Sequence, residues 1–155
     1  MLAPRGVKPV QRVQVEYRWR WLLLAVDPRA GTLRWAWLAR FRQDQLRPVL
    51  AGWGPAAVVW DGAGPHRGKQ LRDLPTARVA LPPYSPELNP AERVFEEVRR
   101  RVEGRVYGAL ADKQAAAEAL LAELAADPER VRRLCAWDWI VAAHDALPPP
   151  AGAQP

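Results

Sequence analysis

Ala56-Ala57-Val58-Val59-Trp60-Asp61-Gly62-Ala63-Gly64-Pro65 is a short apolar run that stops on an acid and a glycine-rich turn. Ala77-Arg78-Val79-Ala80-Leu81 is a second short run, reached through a polar segment that holds His66, Arg67, Lys69 and Arg72. Two such runs joined by a crossover predict buried, parallel strands in a βαβ unit. In sheets built this way chemistry gathers where the carboxyl ends of the strands open into a crevice. Asp61 stands at that end of the first strand.

Upstream, Val13, Val15, Tyr17, Trp19, Trp21, Leu23 and Ala25 occupy odd positions between Arg12 and Val26, while the even positions are polar as far as Arg20 and apolar beyond it. This is period-two strand patterning whose second half is buried on both faces. Asp27-Pro28-Arg29-Ala30-Gly31 forms a turn, and Leu33, Trp35, Trp37, Ala39 and Phe41 then alternate again, which predicts a long antiparallel hairpin. Its tryptophans, spaced by two among other apolar residues, read as cross-strand core pairs rather than as platforms for bases. Residues 44 to 52 predict a short helix despite Pro48 inside it.

Downstream, Leu81 to Asn89-Pro90 is a stiff connection with four prolines that delivers the chain into a helix. Asn89 as cap, Pro90 at the first helical position and Glu92 at the third make a strong start. Ala91, Val94, Phe95, Val98 and Val102 form the apolar stripe, and Glu92 lies about 60° around the helix from Phe95. Asp112 to Ala126 predicts a second helix, and Asp127-Pro128-Glu129 opens a third that runs through Leu134 toward Trp139. The expectation is one α/β domain over residues 1–146, with a disordered Pro-rich tail over 147–155.

At 155 residues, 49% apolar and 26% charged, the chain has the composition of a single compact domain. No run of 18 or more apolar residues occurs, and the first twenty positions carry five basic side chains without an apolar signal core, so a cytoplasmic, membrane-free protein is expected. One Cys and two His cannot build a disulfide framework or a Cys/His zinc site, so any metal needs oxygen ligands. Residues 1–50 hold ten basic and three acidic side chains (+7), residues 51–101 sum to +2 and residues 102–155 to −3. A basic end rich in Arg suits phosphate and a polyanionic partner, although the same charge also keeps a half-exposed hairpin soluble.

Asp61 and Glu92 are 31 positions apart, one ending a strand and the other beginning the helix after the next strand. A fold that brings both to one sheet edge would let them hold Mg²⁺ or Mn²⁺ for an in-line phosphoryl displacement, without His or Cys. The pattern leaves a plainer reading open for each: Glu92 as the reciprocal partner in an Asn-x-x-Glu cap, Asp61 as a turn residue before Gly62. His66 reads as a loop hydrogen-bonder and Cys135 as a small core residue.

The phrases Val58-Val59-Trp60-Asp61-Gly62-Ala63-Gly64-Pro65-His66 and Leu81-Pro82-Pro83-Tyr84-Ser85-Pro86-Glu87-Leu88-Asn89-Pro90-Ala91-Glu92-Arg93-Val94-Phe95 closely resemble the second and third signatures of bacterial insertion-sequence transposases of the mariner superfamily. The resemblance runs from about Arg5 to Ile140. It implies a DDE endonuclease domain with an RNase H-like mixed sheet, an antiparallel hairpin plus parallel βαβ strands, followed by C-terminal helices. It implies Asp61 and Glu92 as catalytic residues and ligands to Mg²⁺ (or Mn²⁺), and DNA as partner, both transposon ends and target. Arg67, Lys69, Arg93, Arg99 and Arg100 are candidate phosphate contacts by charge and placement.

The sequence departs from the family pattern in two places. Gly62 stands where the family usually has Asn. More important, the family's first Asp belongs to a strand preceding the segment that resembles residues 5–27, and Glu16, Asp27 and Asp44 are poor substitutes; Asp27 reads as a hairpin residue. The chain is therefore read as an N-terminally truncated catalytic domain of very low activity alone. The missing strand should leave either a rearranged sheet, with Arg12 to Val26 pairing beside Ala56 to Trp60, or an open edge prone to self-association or to joining an intact transposase. A non-catalytic DNA-binding or subunit-interaction remnant is the second reading. An unrelated RNase H-like nuclease or resolvase is the third.

Overall fold

Trp21–Asp27 (β1) and Thr32–Leu38 (β2) pair antiparallel, with Leu24 opposite Trp35 and Leu22 opposite Trp37. This hairpin is the middle of the molecule in the computed structural model, which describes residues 18–146. Its turn is built as the sequence predicts. Asp27 Oδ1 accepts hydrogen bonds from the backbone N–H groups of Arg29 and Ala30, both at 2.9 Å, so Asp27 is spent on the hairpin. Gly31 takes a left-handed φ of 69° that only glycine adopts without cost.

The expected strand from Arg12 is shorter where it is described. Residues 12–17, Glu16 among them, and the tail over 147–155 lie outside the described residues. Arg18, Trp19 and Arg20 are not strand, because Trp21 already pairs with Leu38, the last residue of β2, and the chain bends away after it. Trp19 is consequently 75% exposed, against the core reading, whereas Trp35 and Trp37 do pack on the core. Phe41 leaves the strand pattern to stack on Trp21 at 5.5 Å.

Gln43–Trp53 (α1) forms a helix with Pro48 inside it and stops at Gly54, whose φ of 56° lets its N–H reach Leu50 O. Ala57–Trp60 (β3) and Ala77–Ala80 (β4) then pair in parallel, with Trp60 opposite Ala80. The crossover between them holds two short 3-10 turns, Gly64–Arg67 and Lys69–Leu71, rather than an α-helix. These strands are only half covered, and Val59 is exposed, so the expected full burial is not reached. Strand β3 does not pair with β1. Among the described residues the hairpin and the parallel pair remain separate two-stranded sheets, which removes the rearranged-sheet expectation.

Ala91–Val102 (α2), Leu110–Ala125 (α3), Pro128–Cys135 (α4) and Asp138–Asp145 (α5) follow among the described residues. The third predicted helix breaks at Ala136 and Trp137, because Ala136 leaves helical geometry (ψ 59°) and a new helix starts at Asp138. Two cores result. In the larger, Leu24 and Leu33 of the hairpin meet Val94 and Val98 of α2, Leu121 and Leu124 of α3 and Val131 of α4. In the smaller, Leu38 meets Leu46 and Leu50 of α1 and Leu71 of the crossover, with Leu23 and Trp60 packed against them. At about 25 cal/mol per Å² of apolar surface, each fully buried Leu contributes roughly 2 kcal/mol, so the larger core carries most of the stability. No helix among the described residues is long and apolar enough to cross a membrane.

Candidate active site

Strand β3 ends at Trp60, and Asp61 is the first residue beyond it. The backbone hydrogen bond from Leu81 N to Trp60 O (2.8 Å) closes the parallel pair just before the chain turns away at Asp61. Asp61 Oδ1 accepts the Ala63 N–H at 3.0 Å, so the turn role expected of this residue is real. The same oxygen lies 2.7 Å from His66 Nδ1, which also faces the Asp61 carbonyl oxygen at 3.2 Å. Two acceptors on one ring nitrogen place the proton on Nδ1. Oδ1 is thereby consumed, and Oδ2 is left without a hydrogen bond among the described residues.

The His66 ring is held from three directions. It stacks on Trp60 with centroids 4.4 Å apart and planes at 2°, meets Phe41 edge-on at 5.2 Å, and its side chain is only 11% exposed. The sequence alone reads His66 as a loop hydrogen-bonder. The signal for a tighter role is its spacing, five positions after Asp61 across a glycine-containing turn, with an aromatic residue ending the strand beside it.

Glu92 lies in the first turn of α2. Asn89 Oδ1 accepts the Ala91 N–H at 3.1 Å and Asn89 O accepts the Glu92 N–H at 3.0 Å, so Asn89 caps the helix as predicted. The reciprocal bond is not made, because the Asn89 N–H donates to Pro86 O at 2.9 Å. Glu92 is therefore not a capping residue. Its carboxylate, 35% exposed, faces the Arg99 guanidinium at 3.7 Å. In the connection leading to it, Tyr84 adopts a φ of 59° with its side chain fully exposed, an unusual backbone for a large residue.

The candidate phosphate contacts divide into two sets. Arg93 donates to Glu96 and lies over the Trp137 ring at 4.4 Å, Arg99 faces Glu92, and Arg100 pairs with Glu97. The side chains of Arg67 and Lys69 have no hydrogen-bond or ion-pair partner among the described residues. Arg67 lies directly against Gly62, where an added Cβ would stand 2.5 Å from its Nη2. The departure from the family pattern at position 62 thus makes room for a guanidinium.

Asp61 and Glu92 offer the hard oxygen donors that Mg²⁺ or Mn²⁺ prefers. Oδ2 of Asp61 is unused, and the Glu92 carboxylate is outside its cap. Among the described residues no group of three or more His, Cys, Asp or Glu side chains is placed to hold a metal, so water or phosphate oxygens would have to complete a shell. Residues 6–112, which include both acids, match the family described as DDE superfamily endonuclease. No curated protein and no solved structure matches the chain.

Proposed function

The chain belongs to the DDE superfamily endonucleases, and from that membership we propose that it is the catalytic domain of a bacterial insertion-sequence transposase of the mariner superfamily, acting on DNA in the cytoplasm. The intact enzyme cuts DNA at transposon ends and joins the freed 3′ hydroxyl to target DNA. The observation that carries this reading is that the matched region spans both Asp61 and Glu92, with Glu92 left out of the helix cap that would otherwise explain it.

Asp61 and Glu92 are the residues that would hold Mg²⁺ or Mn²⁺, which would supply Lewis acidity toward a phosphoryl group and an activated water or hydroxyl. The chain's own residues do the holding. His66 and the Ala63 N–H fix Asp61 through Oδ1 and leave Oδ2 for the ion. Arg99 balances Glu92, so a cation that takes this carboxylate competes with a guanidinium. Arg67 and Lys69 are the cations most available to backbone phosphates, while Arg93, Arg99 and Arg100 must first release their intramolecular partners. The resemblance calls for three carboxylates and these residues supply two, so the chain alone is proposed to be nearly inactive. The outer edges of β1 and β3, unpaired among the described residues, are the proposed route to self-association or to joining an intact transposase.

Mn²⁺ binding followed by electron paramagnetic resonance tests the site: Asp61→Asn and Glu92→Gln are each expected to weaken it at least tenfold, with plasmid nicking near background in every case. Binding unchanged in both variants would refute the assignment. Nicking that is robust and lost in Asp61→Asn would refute the low activity. The second reading is a non-catalytic DNA-binding or subunit-interaction remnant of a transposase. Salt-sensitive DNA binding that is indifferent to Mg²⁺ and to Glu92→Gln would support it.

A further inference from the structure

A cavity of about 200 Å³ opens at the carboxyl ends of β3 and β4, on the crossover side. Arg67, Arg72 and Arg78 line it together with Trp60, His66 and Gly68, and no carboxylate does. Three Arg side chains with no carboxylate among the lining residues make this space electropositive and favourable to an anion. By contrast, the cavity at the start of α1 contains its own counter-charge, Asp44, which Arg42 already engages at 3.2 Å.

The three cations are held in different ways. Arg78, the one charge in the β4 run, is anchored by donating to Leu71 O. Arg67 is laid against Gly62. The Arg72 guanidinium has no hydrogen-bond or ion-pair partner among the described residues, and the residue is exposed. Planar, forked donors of this kind match the oxygens of a phosphate group. Trp60 and His66, stacked on each other, make an aromatic wall beside them.

We propose that this cavity binds a phosphate group of a nucleic-acid strand, next to the position held by Asp61. It rests on the nuclease reading only for the choice of nucleic acid as the source of the phosphate. Arg72 and Arg78 are new assignments. The pocket fixes the strand through its backbone without reading bases, and it works in the absence of any metal.

The test uses the full chain in EDTA, so that its outcome is separate from that of the metal site. Fluorescence anisotropy with a labelled oligonucleotide gives affinity as a function of salt. Arg72→Gln is expected to reduce the slope of log K against log salt by about one and the double variant Arg67→Gln/Arg72→Gln by about two. Arg133→Gln, an exposed cation on α4, is the comparison and should leave the slope nearly unchanged. Calorimetry with inorganic phosphate is the second arm. Loss of phosphate binding in Arg72→Gln with an unaltered DNA slope supports the phosphate site and overturns nucleic acid as its source. Equal effects from Arg72→Gln and Arg133→Gln, or no effect of either on both ligands, overturn the proposal.

Discussion

Replacing Gly31 with Ala should be among the most damaging single-methyl changes in this chain. Gly31 has φ 69°, and a Cβ built on it would stand 2.2 Å from Pro128 O and 2.9 Å from Pro128 C, both backbone atoms in the first turn of α4. A left-handed Ala costs about 1 kcal/mol by itself. The clash adds an overpacking cost of about 1 to 3 kcal/mol, because neither backbone has a flexible end to move. Lifting the hairpin tip off α4 also strains the hydrogen bond from Arg132 Nη1 to Ala30 O, now 2.9 Å, whose loss costs about 1 kcal/mol. The expected total is about 3 to 5 kcal/mol, or a fall in Tm of about 10 to 15 °C at this chain length. Gly54→Ala is the control. It has nearly the same backbone, φ 56°, with nothing within 4 Å of the added methyl, so only the conformational cost of about 1 kcal/mol applies. Urea unfolding followed by tryptophan fluorescence measures both. Equal losses in the two variants would refute the docking of the hairpin tip against α4.

Gly62→Asn, the change toward the family pattern, should displace the Arg67 guanidinium and weaken DNA binding by about the amount seen in Arg67→Gln; unchanged affinity with an intact fold would show that Arg67 does not depend on the missing side chain. Asp127→Ala should cost about 1 kcal/mol in thermal unfolding, because Asp127 Oδ1 caps α4 by accepting the Arg130 N–H at 3.0 Å. Burial pushes the Cys135 thiol up to about 11, with Arg93 nearby opposing the rise. The folded state keeps this proton after the unfolded chain has lost it, so stability should fall as pH climbs from 9 toward 11, and Cys135→Ala should flatten that part of the pH profile. In the native protein at pH 8, a thiol reagent should react with Cys135 only at the rate of local opening.

Elements with a local cause were legible in the sequence, and those with a tertiary cause were not. The Asp27 turn, the apolar stripe of α2 and the Asn89 cap follow from side chains within a few positions of the backbone they organise. The parallel pairing of β3 and β4 was also readable, because each run is too short and too apolar for an exposed hairpin. Pattern gave no warning that α4 would stop at Cys135, since the break lies in Ala136 and Trp137, where Arg93 of α2 comes to lie over the indole. Nor did alternation tell Trp19 from Trp35. Both sit on strand-like spacing, and only the pairing of Trp21 with Leu38 decides where the partner strand ends. At the site, Asp61 and Glu92 were visible as acids at element ends, but their surroundings were not. The clamp of His66 on Asp61 depends on Phe41, twenty positions upstream of the acid, and the separation of Glu92 from its cap depends on Pro86 O taking the Asn89 N–H.

The hairpin is a party wall between two rooms. Trp60, at the foot of Asp61, belongs to the smaller core on one side of it, and the helix that carries Glu92 belongs to the larger core on the other. Each acid is therefore positioned by a different core, and the proline-rich link from Leu81 to Pro90 joins the two. A substitution deep in either core can shift one of the acids by tilting its room, and under the proposed metal site such a change would weaken Mn²⁺ binding with both carboxylates still present.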